Sequence, residues 1–145
     1  MSIRYEAGTP GHVGRMRERT TSNACDFVRF DDQHFSIFAL DGDEPVGLIA
    51  GKRRALPAPL EPVEEAFIDI IEVQPEYRRR GIGTALVEHA ITGARANGAV
   101  QIRAWSEEIR TEALLLWNKL GFTFSRVDFQ DGNGQRYGFY VARRL

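Results

Sequence analysis

The sequence holds a single cysteine, Cys25, so no disulfide can close within it, and a reducing compartment suits it. Lysine is almost as scarce: Lys52 and Lys119 are the only two among 19 basic residues, and arginine carries the rest. Neither sign of charge dominates, because the formal net charge is -1, so nothing global points to nucleic acid. No apolar run approaches about 20 residues, which leaves no spanning helix to expect. The start is polar at Arg4 and Glu6 and does not read as a secretory signal. His12, His34 and His89 are scattered without metal-ligand spacing. Repeats and low-complexity tracts are missing as well. The expectation is one domain over residues 1–145, cytoplasmic, with no metal, no membrane and no nucleic acid.

What is present is organised around Ile68 to Gly83, which reads I-D-I-I-E-V-Q-P-E-Y-R-R-R-G-I-G. Its left half is an apolar, β-branched run and reads as a buried strand. Pro75 ends it, since proline cannot continue a central ladder. Gly81 and Gly83 then bracket one isoleucine, and an amphipathic pattern starts at Thr84, Ala85, Leu86 and Val87. The stretch is strand, glycine turn, helix start. First-turn N–H groups have no partner inside their helix and sit at the positive end of its dipole. Glycine lets a phosphate approach such a backbone closely. Arg78, Arg79 and Arg80 add donors that suit phosphate oxygens.

Two common phosphate motifs do not fit. No lysine follows the glycines, as a Walker loop requires, and Thr84, Ala85 and Leu86 leave a dinucleotide fingerprint without its third glycine. What remains is R-x-x-G-x-G from Arg78 to Gly83, after V-x-P-x-Y, with L-G-F downstream at Leu120 to Phe122. In these features the sequence resembles the GNAT superfamily of acyl-CoA-dependent N-acyltransferases, whose signature is Q/R-x-x-G-x-G/A between the fourth strand and the next helix. The element order matches over nearly the whole chain, the motifs over roughly residues 68–122.

In order, Ile3 to Glu6 reads as a first strand, and Thr9-Pro10 opens a helix from Gly11 to about Thr20. Ser22 to Phe30 suggests a second short helix burying Ala24, Phe27 and Val28. Phe35 to Leu40 and Val46 to Lys52 form a hairpin across Asp41-Gly42-Asp43. Arg53 to Glu65, with Pro57, Pro59 and Pro62, reads as a loop, and Phe67 to Val73 as the central strand. A helix follows from Gly83 to about Asn97, burying Leu86, Ala90 and Ala94 beside Val87 and Ile91. Val100 to Ala104 is then a strand parallel to the central one. Glu107 and Glu108 suit the start of a helix that runs to about Leu120 and buries Ala113, Leu116, Trp117 and Leu120. Phe122 to Phe129 and Tyr137 to Arg143 read as a closing hairpin. The fold class is α/β, a mixed sheet with helices on both faces. The resemblance adds a mostly antiparallel sheet whose fourth and fifth strands are parallel and splay apart.

The resemblance also implies a chemistry: transfer of an acetyl group from acetyl-CoA to a primary amine by direct attack. The turn from Arg78 through Arg79, Arg80, Gly81, Ile82 and Gly83 to Thr84 would hold the pyrophosphate. Backbone N–H groups near Ile71 and Val73 would hold the thioester carbonyl. Amide formation needs a neutral amine and hence a base, usually a carboxylate. Glu72 and Asp69 are the candidates. On a regular strand their odd spacing turns them to opposite faces, so only one would meet the cleft; Glu72 is preferred and Asp69 kept. The family's acid, a tyrosine four residues before the glycine of the G-F pair, is here Trp117, which packs in the core or lines the pantetheine channel. Arg110 falls where the family often has asparagine, and is either a phosphate ligand or a surface charge. Tyr137 and Tyr140 read as sheet packing, with one of them an alternative acid, and Tyr77 as packing beside the turn. His89 reads as a partly buried structural histidine and Cys25 as a small buried thiol. The acceptor, a small amine or a protein amine, stays open, as does a homodimer formed through the last strands. A non-catalytic acyl-CoA-binding protein is the alternative, kept alive by Trp117.

Overall fold

A computed structural model describes residues 2–145. Strand β1 (Ile3–Ala7) leads to helix α1 (Pro10–Arg19). Thr9 opens that helix with a reciprocal cap: its Oγ1 accepts the His12 N–H at 3.1 Å, and its own N–H donates to His12 Nδ1 at 3.2 Å. Met16 is the one fully buried side chain α1 contributes.

The second helix expected at Ser22 to Phe30 is only a 3-10 turn, Ala24–Phe27. Ala24, Cys25 and Val28 fill the available contact in a single turn, Val28 is already extended, and Phe27 stays 37% exposed rather than buried. Strands β2 (His34–Asp41) and β3 (Glu44–Ala55) form the expected hairpin. Strand β4 runs Glu64–Val73, so the proline loop is shorter than the sequence suggests. Cross-strand ion pairs extend the ladder: Arg53 with Glu64 at 2.8 Å and Arg54 with Glu65 at 2.7 Å. Such pairs stabilise a sheet without leaving any apolar period to read.

A 3-10 turn (Pro75–Tyr77) links β4 to helix α2 (Ile82–Ala96). Leu86, Val87, Ala90, Ile91 and Ala94 of α2 are all buried, as the periodicity predicts. Strand β5 (Gln101–Glu107) absorbs Glu107, and helix α3 (Thr111–Lys119) begins later than expected. Glu107 and Glu108 therefore do not serve a helix N-terminus. They pair with arginines further along the chain, Glu107 with Arg136 and Glu108 with Arg126. Of the predicted α3 core, Trp117 is fully buried, and Ala113, Leu116 and Leu120 are partly so.

The closing hairpin has an insertion. Strands β6 (Thr123–Arg126) and β9 (Gly138–Arg144) pair, while β7 (Phe129–Asp131) and β8 (Gly134–Arg136) make a separate small hairpin between them. The main sheet has the order β1-β2-β3-β4-β5-β9-β6. Every neighbour pair is antiparallel except β4 and β5. The fold is thus the mixed α/β sheet expected, with a parallel β4/β5 pair. Of the last two strands only β6 is an edge; β9 lies inside the sheet. One apolar cluster packs α2 and Trp117 on one face, and a second packs Met16, Ala24, Cys25 and Val28 on the other.

Candidate active site

The parallel pairing of β4 and β5 covers only Ala66, Phe67 and Ile68 against Ile102, Arg103 and Ala104. Beyond it β5 stays paired with β9, and β4 stays paired with β3. The two strands therefore part at the C-terminal end of β4. On its other side, the Gln74 N–H donates to Val46 O at 2.8 Å. That bond makes Gly47 and Val73 a non-hydrogen-bonded pair in the antiparallel ladder. The N–H and C=O of Val73, and of Ile71 two residues earlier, consequently turn away from β3 and into the opening. The Val73 carbonyl there accepts Arg78 Nε at 3.0 Å.

The turn that follows is shaped by two left-handed residues. Gly81 (φ 80°) is the N-cap of α2, and Arg79 (φ 64°) is the one non-glycine with positive φ among the described residues. For a side chain that conformation costs about 1–2 kcal/mol, a strain that concentrates at functional turns. Gly81 gives no side-chain cap, and the first turn of α2 holds no acid. The N–H groups of Ile82, Gly83 and Thr84 are therefore left for a ligand or solvent at the positive end of a 15-residue helix. The Ile82 side chain is buried, so only its backbone faces such a ligand. Arg78, Arg79 and Arg80 are exposed beside it, and the Arg80 guanidinium lies 5.2 Å from the Tyr77 ring. Tyr77 packs on the core and donates to Asp41 Oδ2 at 2.6 Å, a bond that raises its phenol above its usual range.

The two candidate carboxylates do not face opposite ways. Ala50 pairs with Ile70 but Gly51 pairs with Ile68, so Asp69 is an extra residue, a bulge. The bulge shifts the alternation by one. Ile68 and Ile71 pack on the α2 face, Ile70 on the α1 face. Glu72 reaches the α1 face, where Ser22 Oγ donates to its Oε2 at 2.6 Å. Asp69 shares that face and accepts from Lys52 Nζ at 3.0 Å. Lys52 lies 5.6 Å from the centre of the Phe67 ring, which marks the same side. Odd spacing therefore does not separate the two carboxylates, because the strand is not regular.

Helix α3 lies against the start of α2: a Cβ on Gly83 would meet Leu116 Cδ2 at 3.7 Å. Trp117, the next residue, is 2% exposed and packs on Phe122 with ring centres 4.9 Å apart. Its Nε1 is buried without an acceptor among the described residues, so it is a core aromatic. Arg110 is exposed at the N-cap of α3. Tyr137 is exposed and precedes β9, so the strand alternation does not reach it; Tyr140 packs edge-on against Phe67 at 6.4 Å. His89 is exposed, not partly buried, and stacks on Tyr5 at 4.8 Å. Cys25 is the buried thiol expected, and burial pushes its pKa up.

Sequence reasoning missed two residues beside these carboxylates and a third, buried acid at the far end of β4. Ser22 holds Glu72 across 50 residues of chain, and Lys52 holds Asp69 across 17. Glu65, read as loop, is 1% exposed and accepts from Arg54, Arg103 and Gln101. No local pattern announces any of them; only the rarity of lysine singles out Lys52.

The sequence profile of the Acetyltransferase (GNAT) family matches residues 5–122, and the chain belongs to that family. An uncharacterised N-acetyltransferase of Methanocaldococcus jannaschii is 34% identical over 100 residues, 69% of this chain and 43% of that protein. The ribosomal protein bS18 alanine N-acetyltransferase of Escherichia coli is 32% identical over 77 residues, 53% of this chain and 52% of that protein. The chain thus spans about half, or less, of the length of these relatives. Among solved structures, Arabidopsis thaliana NAA60 in complex with acetyl-CoA superposes with a TM-score of 0.79 at 14% identity, covering 99% of both chains.

Proposed function

We propose that this protein transfers an acetyl group from acetyl-CoA to a primary amine by direct attack, with no covalent enzyme intermediate. The observation that carries the reading is the coincidence of two features at one end of β4. An uncapped helix N-terminus with three arginines adjoins an opening into which the Ile71 and Val73 N–H groups point. The first suits a pyrophosphate. The second suits a carbonyl oxygen that gains negative charge as an amine adds to it.

Acetyl-CoA, as a substrate, would supply an activated acyl group on a thiol that leaves readily. The N–H groups of Gly81, Ile82, Gly83 and Thr84 and the side chains of Arg78, Arg79 and Arg80 would hold its phosphates, with Arg110 a further cation at the start of α3. Ile71 and Val73 would bind the carbonyl. Glu72, at the same level of the strand, would take a proton from the acceptor ammonium, directly or through water, so that the neutral amine attacks the thioester. Asp69 is the second candidate, engaged by Lys52. Trp117 supplies no acid, so the thiolate departs unaided.

The acceptor is read as a primary amine of a small molecule or of a protein. The bS18 alanine N-acetyltransferase among the relatives makes a peptide N-terminus the first to try. We place the reaction in the cytoplasm, where the lone buried Cys25 stays reduced, and read residues 1–145 as one catalytic domain. No described helix is long and apolar enough to cross a membrane.

The test combines calorimetry with acetyl-CoA and thiol release with two acceptors, a tetrapeptide with N-terminal alanine and spermidine. Expected are donor binding, thiol release with at least one amine, and an acetylated product by mass. Glu72→Gln should keep donor binding and lose turnover by about 10²-fold or more. Failure of acetyl-CoA to bind a folded sample refutes the reading. Binding without turnover of either amine favours the alternative, a non-catalytic acyl-CoA-binding protein, which the buried Trp117 at the family's acid position would suit.

A further inference from the structure

Ser22 lies between α1 and the 3-10 turn Ala24–Phe27, and nothing in its neighbourhood of the sequence marks it. Its backbone makes one hydrogen bond and its hydroxyl two. The Ser22 N–H donates to Thr20 Oγ1 at 3.1 Å, and the Ala24 N–H donates to Ser22 Oγ at 3.2 Å. The third contact is Glu72 Oε2, at 2.6 Å from Ser22 Oγ. A hydroxyl has one proton to give. Since the Ala24 N–H can only donate, the Ser22 proton goes to the carboxylate. The serine is set by its own backbone first and presents a fixed donor to a side chain arriving from the sheet.

We propose that Ser22 is the positioning residue of Glu72, holding Oε2 so that Oε1 is the oxygen that accepts the proton of the amine. This rests on the reading of Glu72 as base. A glutamate at the end of a strand has three rotatable bonds, and a proton acceptor works only within hydrogen-bond reach of its donor. A second observation agrees. The Cys25 thiol is raised first by burial, with Arg17 opposing and the charges of Glu72 and Asp26 adding to it. The Glu72 charge thus reaches Cys25, which sits in the 3-10 turn that follows this link and packs against β4.

The test is steady-state thiol release with acetyl-CoA and the N-terminal-alanine tetrapeptide or spermidine, on wild type, Ser22→Ala, Ser22→Thr and Glu72→Gln. Removing one hydrogen bond to a charged group should lower kcat of Ser22→Ala about tenfold to a hundredfold. KM for acetyl-CoA and its calorimetric Kd should not move. Ser22→Thr, which keeps the hydroxyl, should recover most of kcat. Wild-type kcat in Ser22→Ala overturns the proposal, as does a Ser22→Thr as slow as Ser22→Ala. Glu72→Gln at the wild-type rate sinks the base assignment and the proposal together. If Glu72→Gln is dead while Ser22→Ala is not, the base survives and only the role of Ser22 falls. Turnover of neither amine by a wild type that binds acetyl-CoA overturns both. Should Ser22→Ala fail to fold, Ser22→Gly carries the same comparison.

Discussion

Replacing Glu65 by glutamine should cost more stability than any surface charge change in this chain. Both carboxylate oxygens are filled. Oε2 accepts Arg54 Nε and Arg103 Nη2, each at 2.7 Å, and Oε1 accepts Gln101 Nε2 at 2.7 Å and Arg103 Nε at 3.1 Å. The side chain is 1% exposed. An amide cannot satisfy this set, since its NH₂ would point at two donors whichever way it turns. The guanidinium of Arg103 would also lose its counter-charge while stacked 4.5 Å from the Tyr140 ring. Removing one partner of a buried pair costs about 3–5 kcal/mol, against total domain stabilities of about 5–15 kcal/mol. In a chain of this length that lowers Tm by about 10 °C or more.

The effect has a pH signature. Burial pushes the Glu65 carboxyl up, but the bonds from Arg103, Arg54 and Gln101 together outweigh burial and leave it below the usual value. A depressed folded pKa gives stability that is full above the unfolded value, about 4.3. It is lost as pH falls through the lower folded value. Chemical denaturation of wild type and Glu65→Gln at neutral pH and near pH 3 measures both claims. The gap should be several kcal/mol at neutral pH and should narrow in acid. Acetyl-CoA affinity of the folded variant should hold, because Glu65 is eight residues before Val73, about 25 Å along the strand. A neutral-pH loss under 1 kcal/mol, or a gap that widens in acid, refutes the reasoning.

Two further substitutions separate fold from function. Gly83→Ala should stabilise the chain by up to about 1 kcal/mol through helix propensity, since its Cβ meets only Leu116 at an ordinary 3.7 Å. It should nonetheless weaken acetyl-CoA by calorimetry, because the methyl stands beside the N–H groups offered to phosphate; unchanged affinity moves the donor away from this turn. Trp117→Phe should stay within about 1 kcal/mol of wild type, the lost ring area being offset by removal of a buried donor with no acceptor. Its kcat should fall no more than about threefold, and a loss near 10²-fold would put the indole in the chemistry after all.

The parts legible in the sequence are those with a local period or a local chemical reason. Helix α2 announces itself by Leu86, Val87, Ala90, Ile91 and Ala94, and the glycine turn before it by Arg78 to Gly83, because each pattern lies within a few turns of chain. The ends of β3 and β4 are hidden because Arg53, Arg54, Glu64 and Glu65 look like solvated charge until their cross-strand partners are known. Glu107 and Glu108 mislead for the same reason: an acid before a helix and an acid paired with an arginine far along the chain look alike in one dimension. Ser22 is hidden most completely, since its partner lies 50 residues away.

The bulge at Asp69 links the shared face of the two carboxylates to the site itself. It falls directly after Ile68, the last residue of β4 paired with β5. A bulged strand bends and twists more strongly at the extra residue, so β4 leaves the line of β5 where the opening starts. Opposite the bulge stands Gly51, and any Cβ there would collide with Phe67 O and the Phe35 ring. Glycine is therefore needed on β3 for β4 to come this close. The same extra residue carries Asp69 and Glu72 onto one face while Ile71 and Val73 keep their N–H groups turned into the opening. One inserted residue thus accounts for both carboxylates lying on one face, and it marks the place where β4 parts from β5. On a regular strand of the same composition, alternation would send one of the two carboxylates into the α2 core.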